Sequence, residues 1–182
     1  MRTPTASSGA IRVWDPLVRA FHWTLVLSII AAWATSEANE TLHEIVGYGA
    51  LALVALRIVW GFVGPRYARF SQFVRAPRAV LSYLRTLLAG TEARFIGHNP
   101  AGGLMILALL ANVGAVSVSG WLLMTDAFWG VAWVQRMHAI LADSLVILIA
   151  LHFAGVVLAS WRHKENLALA MVTGVKRAIH PD

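Results

Sequence analysis

MHAILADSLVILIALH, residues 137–152, carries a histidine near its start and another at its end, with one charged residue, Asp143, between them. His138 and His152 are fourteen residues apart. At ~3.6 residues per turn this is close to four helical turns, so both rings leave the same face, ~21 Å apart along the axis. The segment belongs to an apolar run over about residues 134–161, longer than the ~20 residues that cross a hydrocarbon layer and able to tilt or to project past the interface.

Three more runs stand upstream, over about residues 19–35 (RAFHWTLVLSIIAAWAT), 43–63 and 101–124. In lipid, backbone polar groups must be satisfied within the segment, so each run reads as a helix. The expected fold is all-α, an integral membrane up-down four-helix bundle forming one domain over residues 1–182. Of the 182 residues 58% are hydrophobic and 13% charged, and the mean hydropathy of +0.66 leaves too little polar surface for a soluble domain. With no cysteine, disulfides, zinc-thiolate sites, iron–sulfur clusters and thioether-linked haem are excluded, and histidine is the obvious metal ligand. The first ten residues, MRTPTASSGA, carry no apolar run, so no removable signal peptide is expected. The chain shows no internal repeat and no low-complexity run.

The net charge of +6 acquires its meaning from placement. Fourteen of the fifteen Lys and Arg residues precede or open the first span, follow the fourth, or fall in or after the second and before the third, leaving Arg136 alone on the other side. Bases are retained in the cytoplasm, which places both termini there, in a bacterial inner membrane. The partner implied is the lipid bilayer, not nucleic acid. In the basic linker, RAPRAVLSYLRTLLAG opens at Pro77 and closes at Gly90, the pattern of a short cytoplasmic interfacial helix. The tail ENLALAMVTGVKRAIH has a similar mixture and is expected to lie against anionic headgroups. Trp14, Trp33, Trp60, Trp129, Trp133 and Trp161 fall near span ends, as an aromatic belt would.

Four of the seven histidines lie in or at the ends of spans. Taken singly, each is as well explained by an interfacial position or a carbonyl contact as by function. Topology sorts them by depth: His43 with His138 on the outer side, His22 with His152 on the inner side, each pair joining the fourth span to a different neighbour. The ~21 Å step is too long for one shared ion and suits two macrocycles stacked across the bilayer. Two histidines per iron leave no open position, which favours electron transfer over haem catalysis. Gly47, Gly155, Gly102, Gly103, Gly114 and Gly120 leave room for a porphyrin or simply allow close helix packing.

The segments VWDPLVRAFHW, HEIVGYGALALVALRIVWGFVGPRYARF, GHNPAGG, and MHAILADSLVILIALH followed by WRHKENLALAMVTG together resemble the bacterial cytochrome b561 family, which includes the b-type cytochrome subunit of nickel–iron hydrogenases. The resemblance covers nearly the whole chain. It implies a four-helix bundle holding two b haems, with His22 and His152 as axial ligands of the inner haem iron and His43 and His138 of the outer. It also implies a quinone or a cytochrome c as redox partner. Hydrogenase is the less favoured partner, because the outer connections here are compact.

Among the remaining polar residues, Arg57 lies within the second span and either snorkels to the headgroups or meets an inner haem propionate. His98 is expected in a capping and loop role with Asn99 and Pro100, the alternative being a propionate contact. Asp143 is expected to accept a hydrogen bond from a neighbouring helix or water in preference to a role in proton uptake. His163 and His180 fall in the basic tail and are expected to be solvated. The leading function is a membrane di-haem electron carrier rather than a stand-alone enzyme. The runner-up is a superoxide:quinone oxidoreductase of the same fold, for which Arg136 is the only outer base to steer the anion. A haem-free metal or proton transporter is the third class.

Overall fold

The computed structural model describes residues 9–178. The reading of the first ten residues therefore falls mostly outside the described part, as do Arg2 and His180. The elements run β1 (Ala10–Arg12), α1 (Pro16–Thr35), α2 (Glu40–Val63), a 3-10 turn (Arg66–Ala68), α3 (Phe70–Phe73), α4 (Pro77–Ala89), α5 (Pro100–Leu123), α6 (Ala132–His163), α7 (Leu167–Thr173) and β2 (Val175–Arg177). Helices α1, α2, α5 and α6 are each long and apolar enough to span a membrane.

The spans begin one to three residues before the apolar runs, and polar residues cap three of the four. Asp15 accepts from the Leu17 and Val18 amides with Pro16 next in line. Asn39 accepts from Leu42 and Asn99 from Gly102, each satisfying an amide that has no partner within its own helix. In the linker, α4 opens at Pro77 and ends at Gly90 in the left-handed conformation (φ 71°). Its Val80 and Tyr83 are buried, while Leu81, Leu84 and Leu88 are exposed, as expected of an interfacial helix.

Packing runs in series: α1 on α2, α2 on α5, α5 on α6. Among the described residues α6 does not close back on α1 or α2 to a comparable extent, so the bundle has an open side. The core that joins the four spans is Ala50, Val54, Leu110, Val113 and Leu145, with Phe21, Leu25 and Ile29 of α1 against it. Within the apolar layer a polar contact joins α5 to α6, from Asn112 Nδ2 to Ser144 Oγ (2.6 Å). It is made one residue beyond Asp143, which lies on the exposed face of α6.

The tail departs from expectation in its fold. It turns back on the start of the described chain: Asn166 caps α7, Gly174 turns the chain (φ 84°), and β2 pairs antiparallel with β1, Ile11 opposite Lys176. This adds a two-stranded sheet to the all-α bundle. Two ion groups fasten it. Glu165 pairs with Arg94 and, at 3.4 Å, with Lys176. Arg162 reaches Glu92 at 2.9 Å and the Leu87 carbonyl at 2.6 Å, which also accepts from the Gly90 amide that ends α4. Trp14 departs too, being 8% exposed and packed with Val13 and Ala170 beneath the sheet instead of joining an aromatic belt. Trp33, Trp129, Trp133 and Trp161 are exposed.

Candidate functional site

The histidines face one another across the open side. His43 on α2 and His138 on α6 have ring centroids 6.2 Å apart and planes at 80°. His43 Nδ1 is 2.8 Å from the Ala32 carbonyl, one of the last four carbonyls of α1, which have no helical partner. His138 Nδ1 is 3.0 Å from the Val116 carbonyl, with the Ser119 hydroxyl also at 3.0 Å. A carbonyl can only accept, so in both rings Nδ1 carries the hydrogen and Nε2 keeps its lone pair. This is the arrangement by which a second partner orients a metal-ligating histidine.

Two imidazole nitrogens each ~2 Å from one metal ion place the ring centroids roughly 6 Å apart, so the outer spacing could admit a single iron between the rings. Gly120 helps set that position: a Cβ there would stand 3.2 Å from His138 Cε1 and 3.5 Å from Nδ1. At Gly47, Gly49 and Gly155 a Cβ would meet nothing within 4 Å, whereas at Gly103 it would run into the Phe73 carbonyl and at Gly61 into the Phe70 ring. The glycines thus divide: Gly61 and Gly103 admit the folded-back linker, while Gly47 and Gly155 border free space.

The inner pair is arranged differently. His22 and His152 lie within electrostatic range of each other, and His22 Nδ1 is buried without a hydrogen-bond partner. Its ring meets the neighbouring Trp23 edge-on at 5.0 Å. Arg57 does not snorkel. It is 4% exposed, its Nη2 donates to the Ala68 carbonyl at 3.0 Å, and its guanidinium carbon lies 5.4 Å from the Phe70 ring centre. Its Nη1 is buried without a partner.

His98 does not cap α5; Asn99 does. Its ring is held between Trp14 (4.5 Å) and Phe73 (5.0 Å), and its Nδ1 is also buried without a partner. Burial, and after it the positive charges of Arg57 and Lys176, push its pKa down to about 3, so at neutral pH it is an uncharged imidazole with one N–H to give. Arg57 Nη1 and His98 Nδ1 are thus both buried polar atoms without partners. The aromatic cage around His98 had no signal in the sequence, since Trp14 and Phe73 are 84 and 25 residues away from it.

By fold this is a polytopic membrane bundle with opposed histidines along its open side, of a kind that could take a haem iron from both faces. The chain belongs to the prokaryotic cytochrome b561 family, whose sequence model matches residues 13–174. Membership assigns it haem b as cofactor and electron transport as its class of work. It is similar to a probable Ni/Fe-hydrogenase B-type cytochrome subunit of Azotobacter vinelandii, 30% identical over 160 residues, covering 70% of this chain and 65% of the relative. The protein of the same description from Azotobacter chroococcum mcd 1 is 29% identical over the same shares. The chain thus spans about 65% of the length of the relatives it matches.

Proposed function

We propose that the chain is a di-haem electron carrier, with His43 and His138 as axial ligands of an outer haem b and His22 and His152 of an inner one. The supporting observation is the outer pair: two rings 6.2 Å apart, each with Nδ1 committed to a carbonyl and Nε2 free. A b-type haem supplies a one-electron iron couple when bound. The protein's contribution is ligation, orientation and burial, which tune potential, with both iron positions closed to added ligands. Arg57 Nη1 and His98 Nδ1, both buried without partners, would be the donors for the inner haem's propionates. The charge distribution supports an inner-membrane location with both termini cytoplasmic.

The electrons pass between a quinone or another membrane donor or acceptor and a partner such as a cytochrome c. The relatives' description as hydrogenase cytochrome subunits makes a hydrogenase a further partner to test. Arg136, exposed two residues before His138, keeps superoxide among the substrates to test. The deciding experiment is reduced-minus-oxidised absorption of the detergent-purified protein with haem quantified per chain. Two haems are expected, and His138→Ala or His152→Ala should each remove one centre and leave the other. Fewer than two haems in the parent protein sinks the reading. Stopped-flow mixing with quinol, cytochrome c and superoxide then ranks the partners by rate.

A further inference from the structure

The open side of the bundle raises a question of spacing. His22 is on α1 and His152 on α6, the two ends of the packing series, and these helices do not pack substantially on each other. The link between them lies in the tail. After α6 the chain reverses at Lys164, in the left-handed region (φ 49°), and α7 starts with the Leu167 amide on the Ser160 hydroxyl of α6 (3.3 Å). The far end of α7 reaches α1. The Met171 carbonyl accepts from Trp23 Nε1 at 3.4 Å, and the Val172 carbonyl accepts from the Arg19 guanidinium.

Both carbonyls belong to the last turn of α7, which has no helical partners for them and carries the negative end of the helix dipole. Arg19 and Trp23 stand three residues before and one residue after His22. Gly174 then closes the joint: a Cβ on it would come within 2.7 Å of the Trp14 carbonyl and 3.3 Å of Arg19 Nε. Its own carbonyl accepts from the Val13 and Trp14 amides.

We infer that α7 is a strap that sets the separation and ring orientation of the inner histidine pair, with Arg19 and Trp23 as positioning residues. This rests on the bis-histidine reading of that pair. The outer pair is independent of the strap, because each of its rings is oriented by a carbonyl of an adjacent span.

The test uses the full chain, purified with its haems, and reads midpoint potentials and low-spin haem EPR, which responds to the angle between axial imidazoles. Arg19→Leu and Gly174→Val loosen the strap from the two sides of its joint with α1. Each should shift the potential and EPR signal of one centre, or lose one haem of two, while the second centre keeps its parent values. Arg19→Lys, which retains a donor, should return the inner signal toward that of the parent. Unchanged signals in both loosening variants overturn the inference. So does an equal disturbance of both centres, which would mean a general role in folding. The ligation reading fails separately, if His22→Ala and His152→Ala both retain two haems.

Discussion

At Gly120 the addition of one methyl group has a calculable consequence. The new carbon would be 3.2 Å from His138 Cε1, closer than ordinary van der Waals contact, so the ring must turn or α5 and α6 must part. Gly120→Ala should shift the potential of the outer centre alone, read by redox titration against an unchanged inner centre. Ser119→Ala acts on the same ring without crowding, by removing a hydroxyl 3.0 Å from Nδ1. Loss of such an outer contact typically weakens a metal site roughly 10–100-fold, measurable here as faster haem loss to apomyoglobin. The four histidines could be found in the sequence because polar residues in apolar runs are conspicuous. The carbonyls that orient two of them could not, because Ala32 and Val116 contribute through backbone atoms.

Among the elements, the ion groups of Glu165 and Arg162 explain why the tail folds back. Burial works to raise the Glu165 carboxyl pKa, but the Arg94 hydrogen bond and the Lys176 charge outweigh it and hold the group below its ordinary 4.5. A carboxyl with a lowered folded pKa stabilises the protein fully above its unfolded value, and this contribution disappears as pH falls through the folded one. Acidification from the ordinary carboxylate value of 4.5 down through the lowered one should therefore release the tail. Glu165→Gln should cost of the order of 1 kcal/mol at pH 7 and flatten that part of the melting-temperature profile, measured by differential scanning calorimetry. The spans were legible from hydropathy, and one start from Asn99 with Pro100, whereas the caps Asp15 and Asn39 were passed over because they lie outside the apolar runs. The strands were not, because VKR and AIR are three-residue segments whose pairing joins positions about 165 residues apart, and no local pattern encodes such a contact.

For the whole molecule, the series packing predicts a dependence on its cofactor. With α6 joined to α1 and α2 through little direct contact, ligands bridging the open side would stabilise the bundle by mass action, since they bind the folded form alone. Haem extraction should lower the melting temperature and open α6 to hydrogen exchange, while α1, α2 and α5 keep their protection longer. Equal protection of all four spans before and after extraction would contradict this. His138→Ala should give an intermediate melting temperature.

The pairing of β1 with β2 also brings the described ends of the chain together, the Ala178 amide donating to the Gly9 carbonyl at 2.8 Å. Anything carried on either end, whether a tag, a fluorescent reporter or a tethered electron donor, would leave the bundle at the same place, above the joint between α1 and α7. A joining peptide between Gly9 and Ala178, in place of residues 1–8 and 179–182, would close the backbone into a ring, with new ends opened in the connection between α5 and α6.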